Sequence, residues 1–547
     1  MFMRNFLIIA FIGLNFLAIA QQRVFPLYND LSVDSIFTPK PYATKLDYDV
    51  VSGHLFYAII TGDIYEIFLN EQGGATDSLR FTSADHGITC LQGLCFRDGV
   101  LYLSGNNWTS IVGVGYVVKG TPFFNGQRTW EVMVSTDPYP TASPTGDHGF
   151  TGVAVDPSGA HIYVSSGART HLGELDDNNG AWPNTREVPL TSRIFRFPIN
   201  SSNVLLLNDS ASIVNSPYLF ASGTRNAYDM AWDSKDTLFA IDNSGERDDP
   251  EELNWLRQGR NYGFPWRMGG NDNPIQYPNY DYHNDPLVNP NGSGVAAGWF
   301  NYTSGFPSIP NNVNWMEPIR NLGSAGDFYR DAISGGVLQA SQNGTYVSSF
   351  TAHRSPLGLV FDADSNLSFP YKGDGFVLSF MPGGDSLGFS PISPWGIPCP
   401  FVDPSRDLIQ MKLEYNTSID NYEMITRSVV SGFYLPVDAE LLGNDLYVIE
   451  RGGALWKINF PKDPIIPENS ILIYPNPTES YFKVVFGMDK ALDYLKVFDL
   501  NGKELYYQTI SLTNSLSVDV SQWSCGTYLV SAAFKNGMMV NKKIIVN

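Results

Sequence analysis

One local pattern recurs six times along this chain, and it constrains the fold more than any other feature. Apolar residues alternate, a turn carrying Asp or Gly follows, and a second alternating stretch of Leu-Tyr-Val type completes the unit. The copies are HLFYAIITGDIYEI from His54, LQGLCFRDGVLYLSG from Leu91, FTGVAVDPSGAHIYVSSG from Phe150, AYDMAWDSKDTLFAIDN from Ala227, LGLVFDAD with YKGDGFVLSF between Leu357 and Phe380, and PVDAELLGNDLYVIERGGALWKI from Pro436. Period-two alternation around a turn reads as an antiparallel hairpin. A hairpin cannot bury both faces alone, so repeated hairpins stack on one another, as the blades of a β-propeller do. Six units predict a six-bladed propeller. Their uneven spacing leaves an array of β-sandwiches as the alternative.

Composition agrees with an all-β chain. Aromatic residues make up 14 % of the 547 residues, beside 50 Gly and 35 Pro, a mixture suited to short strands and tight turns. The 35 basic and 55 acidic residues leave a formal net charge of -20, the wrong sign for generic attraction to nucleic acid or anionic membranes. Four cysteines, none in a CxxC or Cys/His cluster, suggest neither a disulfide scaffold nor a zinc site.

The two ends read differently from the body. Residues 1–20, MFMRNFLIIAFIGLNFLAIA, have one Arg, an apolar run and a small-x-small ending before Gln21, the form of a signal peptide. A retained N-terminal anchor is the alternative; beyond it, no apolar stretch is long enough to span a membrane, so no span is expected in the mature protein. Residues 21–462 form the propeller body, and the Pro-rich stretch 463–469 reads as a linker. Residues 470–547 then show about seven short strands with turns at Asn501-Gly502 and Asn536-Gly537, the pattern of a small β-sandwich. The YPNP entry, VFDLNGK, GTYLV and the Lys-rich last strand closely resemble the C-terminal sorting domain of the type IX secretion system of Bacteroidetes. That resemblance implies recognition by the type IX machinery and export through the periplasm to the surface or medium.

The stretch GTRNAYDMAWDSKDTLFAIDNSGERDDPEELNWLRQGRNYGFPWRMGG, from Gly223 to Gly270, carries a second resemblance. With GDHGFTGVAVDPSGAHIYVSSG upstream and HRSPLGLVFDADSNLSFPYKGDGFV downstream, it is similar to the glucose/sorbosone dehydrogenase family. Those soluble sugar dehydrogenases are six-bladed propellers that use pyrroloquinoline quinone (PQQ). The resemblance implies His148 as the catalytic base, with Asp147 beside it as an orienting carboxylate or a cofactor contact. It implies Arg225 and Asn226 as the pair touching PQQ, a tricarboxylate that suits a guanidinium fork. It also implies Ca2+ held largely by backbone carbonyls in the loop matching Gly245 and Glu246, with sugars or related alcohols as substrate and an external electron acceptor.

Read from the residues alone, each position has a plainer alternative. His148 can be a turn histidine, and Arg225 can close a blade through a salt bridge. The acidic run Glu246, Asp248, Asp249, Glu251 and Glu252 adds metal ligands or is a solvated turn. Asn261 to Trp266 reads as a structural turn, and the aromatic loop from Phe264 to Phe300 either stacks on sugar or packs. His353 is the reserve histidine, and Arg169 and Arg354 are further cations placed for a cavity. One departure from the family stands out: where relatives carry Arg or Trp-Asn-Arg, Phe380 is followed by MPGGDSLGFSP with no cation. The leading expectation is a secreted PQQ- and calcium-dependent oxidoreductase. The alternatives are a non-catalytic propeller binding glycan or protein at the cell surface, and a propeller lactonase using calcium in the central channel.

Overall fold

A computed structural model describes residues 24–142, 147–381, 401, 403, 405–462, 471–486, 492–510, 515–535 and 537–547. The signal-peptide segment 1–20, the linker 463–469 and the cation-free stretch after Met381 lie outside the described residues. The chain divides into two compact units, Met1–Pro461 and Lys462–Asn547.

The first unit is a ring of six antiparallel sheets. Blade 1 is Ala43–Asp49, His54–Ile59, Ile64–Leu69 and Ala75–Phe81; blade 2 is Cys90–Arg97, Val100–Trp108, Val112–Pro122 and Arg128–Thr136. Blade 3 is Phe150–Val155, His161–Ser166, Arg193–Pro198 and Leu219–Ser222, and blade 4 is Ala227–Trp232, Leu238–Asp242 and Glu252–Trp255. Blade 5 is Pro356–Phe361, Gly375–Ser379, Asp407–Asn416 and Asn421–Ser431; blade 6 is Pro436–Leu442, Asp445–Glu450 and Leu455–Asn459. The N-terminal strand Ser32–Phe37 pairs with Leu455–Asn459 and supplies the outer strand of blade 6, so both ends of the ring meet in one sheet. The first strands of the blades touch in cyclic order, and the sixth returns to the first. That closure makes the body a six-bladed propeller and excludes an array of separate sandwiches.

Alternation buries both faces of each sheet, so the core is divided among the blade interfaces. Phe56, Leu94 and Leu103 pack between blades 1 and 2, and Phe150, Val117 and Phe195 between 2 and 3. Met230, Tyr163 and Phe220 pack between blades 3 and 4, and Phe239, Ile241 and Val377 between 4 and 5. Phe376, Leu408 and Trp456 fill the interface of 5 and 6, and Leu46, Tyr57 and Ile449 that of 6 and 1.

First strands have an unpaired edge facing the axis, and three aspartates stitch those edges together. Asp438 accepts the Leu46 amide at 2.7 Å, Asp47 the Phe96 amide at 2.6 Å, and Asp229 the Leu359 amide at 2.9 Å. Each carboxylate crosses to the next blade and satisfies a buried N–H that no ladder supplies. The charged sequence ATKLDYD of the first strand in blade 1 follows from this role, and it hides the strand from an apolar pattern; the quoted copy from His54 covers the second and third strands instead.

The second unit has two sheets, Ile471–Tyr474, Tyr481–Phe486 and Ser515–Asp519 against Glu504–Thr509, Leu492–Phe498, Gly526–Phe534 and Met539–Val546. They share one core that includes Phe482, Val484, Leu495, Val497, Val530 and Ile544.

Candidate functional site

The start of a first strand and the end of the second lie at the same end of a blade, because the two run antiparallel. That end of blades 3, 4 and 5 gathers the candidate residues. His148 precedes the first strand of blade 3, and Ala168 and His171 follow its second. Arg225 and Asn226 precede the first strand of blade 4, and Asn243 follows its second.

His148 is fixed from one side. Its Nδ1 lies 3.0 Å from the carbonyl of Ala168, and its own amide donates to the same oxygen at 3.2 Å. With Nδ1–H donating to a carbonyl, Nε2 carries the lone pair. Burial, then the charge of Arg225, lower the imidazole pKa to about 3, so the ring is neutral at physiological pH. Gly167 makes the approach possible, since a Cβ there would collide with the Cβ of His148 and press on the carbonyl of Arg225.

Arg225 is 5 % exposed and forms no ion pair among the described residues. Its Nε donates to the carbonyl of His171 at 2.8 Å and its Nη1 to that of Asn243 at 3.0 Å, leaving Nη2 without a partner among the described residues. The blade-closing salt bridge is therefore not what holds it. Burial lowers its pKa, against the pull of Asp242 and Glu251. Asp242 instead serves the backbone, accepting the amides of Arg225 and Asn226, and burial pushes its carboxyl up to about 7. Asn226 Nδ2 donates to Asn243 Oδ1 at 2.8 Å, while its own Oδ1 is buried without a partner.

Several sequence expectations change here. Asp147 does not orient His148: its Oδ2 accepts the Ala142 amide at 2.6 Å, Oδ1 is buried without a partner, and the orienting acceptor is the Ala168 carbonyl. Burial raises the Asp147 carboxyl to about 7. Glu246 turns its carboxylate to the Ser293 hydroxyl and the Gly294 amide. The rest of the acidic run is neither solvated nor clustered as ligands. Asp248 pairs with His353 at 2.7 Å and Arg330 at 2.6 Å, Asp249 with Arg247 at 2.5 Å, Glu251 accepts the amides of Ser244 and Ser355, and Glu252 the amide of Gly269. His353 is thereby committed: burial acts to lower its pKa, and the Asp248 carboxylate outweighs that and raises it. Arg354 is locked on Asp403 and Asp407, and Arg169 donates to the carbonyls of Pro140, Thr141, Asp176, Thr185 and Arg186, so neither faces a cavity.

Among the described residues no group of three or more His, Cys, Asp or Glu side chains can hold a metal. What the loop offers a hard cation is oxygen from elsewhere. The carbonyls of Ser244, Gly245 and Glu246 accept no hydrogen bond among the described residues, and the Ser244 hydroxyl is buried without a partner.

The chain missed by motif reading is the excursion 167–192 between the second and third strands of blade 3. Its His171 presents the carbonyl that holds Arg225, and the His171 ring stacks on Trp299 at 3.6 Å. The loop after blade 4 packs on it through Leu172, Ile275, Val288 and Phe300, so most of its aromatics are core. Asn261 to Trp266 is a turn, with Gly263 at φ 114° where a Cβ would press on Arg267.

Comparison with known proteins gives two family matches. Residues 139–291 match the family described as glucose / sorbosone dehydrogenase, and residues 472–547 match the secretion system C-terminal sorting domain. No curated protein matches. Similar solved structures include the holo form of the pyranose dehydrogenase PQQ domain from Coprinopsis cinerea, with 13 % identity, 80 % of this chain and 97 % of that one covered, and a TM-score of 0.47. The apo form of the soluble aldose sugar dehydrogenase from Escherichia coli has 14 % identity, covers 79 % and 100 %, and has a TM-score of 0.44. A gluconolactonase from Xanthomonas campestris has 9 % identity, covers 79 % and 91 %, and has a TM-score of 0.36.

Proposed function

We propose that this chain, a propeller with a glucose/sorbosone dehydrogenase segment and a secretion sorting tail, is an oxidoreductase exported by the type IX route that oxidises sugars or related alcohols with PQQ and calcium. The observation that carries the reading is a buried guanidinium without an ion-pair partner, Arg225, beside a neutral, backbone-anchored imidazole, His148. An isolated buried cation is costly, and a carboxylate ligand relieves that cost.

The residues present fit the cofactor. Arg225 and the Asn226 side chain would hold PQQ, and the carbonyls of Gly245 and Glu246 with the Ser244 hydroxyl would hold calcium. When bound, the pair supplies a hydride acceptor with a polarised carbonyl. His148 does the protein's part: Nε2 takes the proton of the sugar hydroxyl as that carbon is oxidised, and the Nδ1–H bond to Ala168 keeps the ring aimed as it becomes cationic. Water exclusion falls to the excursion 167–192 and the loop packed on it. An external acceptor then takes the electrons.

The test is titration of purified protein with PQQ in calcium and in chelator, followed by an aldose panel with an artificial electron acceptor. Calcium-dependent binding, with sugar-driven dye reduction abolished in His148→Ala and retained in Asp147→Asn, supports the reading. Absence of PQQ binding at high micromolar concentration refutes it. A specific observation then favours a non-catalytic glycan- or protein-binding propeller: residues 382–400 contain no Lys or Arg to share the trianion's charge.

A further inference from the structure

A second cavity lies outward from the candidate site, between the excursion 167–192 and the loop after blade 4. Its volume is about 680 Å³, within the range of small-molecule sites, and it shares no residue with the His148 and Arg225 cluster. Its walls combine Phe264 and Trp266 with polar groups from both segments, including Asn184, Thr185 and Ser304, and with Ser210 from the short helix Ser210–Val214 of blade 3. The Trp266 indole N–H is tied to the Pro307 carbonyl at 2.8 Å, which fixes the ring in the wall.

Arg193 gives this cavity its chemistry. It begins the third strand of blade 3, and its Nη1 donates to the Ser192 carbonyl at 3.0 Å. Its Nε is buried with no hydrogen-bond partner, and no carboxylate lies within ion-pair distance of it among the described residues. The one acidic residue in the lining, Glu187, acts on it through its charge but makes no ion pair with it. Both Glu187 oxygens are taken by the amides of Arg169 and Thr170 and the hydroxyls of Thr170, Thr191 and Ser192. The other cation, Arg186, is spent on the carbonyls of Gly173 and Thr303. In a chain with a net charge of -20, a cavity with two guanidinium groups, one of them held only by a single backbone carbonyl among the described residues, suits an anionic group.

We propose that this cavity is a carbohydrate site for acidic sugars, in which Arg193 binds the carboxylate of a uronic acid while Trp266 and Phe264 pack on its ring and the Asn, Thr and Ser side chains meet its hydroxyls. Rings with one apolar face and several hydroxyls match a wall of fixed aromatics and short polar groups. The site stands apart from the oxidoreductase reading, since a propeller with no PQQ site would still carry it.

Calorimetric titration of the full chain with galacturonate and digalacturonate, against galactose as the neutral control, tests this. Uronate binding that weakens with salt, exceeds galactose binding by at least about tenfold, and falls by at least about tenfold in Arg193→Gln is the expected result. His148→Ala leaves it unchanged. Leu175→Trp, at the exposed lip of the cavity, fills the mouth without removing a buried group and gives the same loss if Arg193→Gln proves unstable. Equal binding of galactose and galacturonate, no uronate binding at 10 mM (about 2.7 kcal/mol, the weakest useful affinity), or undiminished binding in Leu175→Trp overturns the proposal.

Discussion

Replacing Lys45 by Met is the sharpest probe of how the ring is held. Lys45 stands on the first strand of blade 1 in an axial cavity of about 310 Å³ lined by all six first strands, and it is the one cation among the described lining residues. Its Nζ lies 2.6 Å from Asp229 and 3.5 Å from Asp438, off the line of an ideal hydrogen bond, so the contact is an ion pair. Burial acts to lower the Lys45 pKa, and the two carboxylates more than offset it. Removing one partner of such a pair leaves uncompensated buried charge and costs about 3–5 kcal/mol. For a body of about 440 residues, an unfolding entropy of about 2.1 cal/mol/K per residue sums to about 0.9 kcal/mol/K, so the melting temperature falls by about 3–6 °C at pH 8. The cost depends on pH. Burial raises the Asp47 carboxyl to about 7 and those of Asp438 and Glu440 well above their ordinary range, so acid removes the charge of these three carboxylates around Lys45. At pH 5 the drop should shrink to about 2 °C or less. Calorimetry of the propeller transition at both pH values measures this, with Lys45→Met/Asp438→Asn expected to recover part of the loss. A drop equal at both pH values would falsify the account, as would one under about 1 °C at pH 8.

Three further outcomes follow from the site. Asp147 carries a folded pKa of about 7 against an ordinary value near 3.8, so the native state holds a proton that the unfolded chain has released; its contribution is full below about pH 4 and is lost as pH rises to about 7, and Asp147→Asn should flatten the melting temperature across that window. Gly167→Ala inserts a methyl between His148 and the Arg225 carbonyl, and should cut sugar-driven dye reduction at least about tenfold while far-UV circular dichroism stays unchanged. Glu246→Gln weakens the anchor of the loop at Ser293 and Gly294 without touching the carbonyl donors; calcium titration should move less than about threefold, while proteolysis near residue 293 accelerates.

Sequence and structure agree where short-range rules act. The hairpins from Leu91, Phe150, Ala227 and Leu357 are the first two strands of their blades, because alternation and a turn suffice to define them. The strand Ser32–Phe37 was not legible, since its partner lies more than four hundred residues away and SVDSIF has no pattern of its own. The motifs place His148, Arg225 and Asn226 just before the first strands of blades, where the structure has them, whereas the direction of their neighbours' side chains could not be read. Asp147 and Glu246 are sequence neighbours of the cluster whose carboxylates accept from amides and a hydroxyl that motif spacing does not encode. Asn243 and the carbonyl of His171, which hold Arg225, come from two different blades, and a carbonyl leaves no signature in a sequence.

Under the proposed reading, Arg225 would act on His148 and on a bound anion with opposite effect, which would link binding to catalysis. With the guanidinium unanswered, its charge adds to burial in holding the imidazole pKa near 3, well below the range where a general base works best. A carboxylate paired with Arg225 would offset part of that charge and raise the affinity of Nε2 for a proton. The Nδ1–H bond to Ala168 does not change, because it is made to backbone. Burial, the larger cause of the low pKa, remains when an anion occupies Arg225, so the proposed ligand would restore only the part of the base strength at His148 that the guanidinium charge removes.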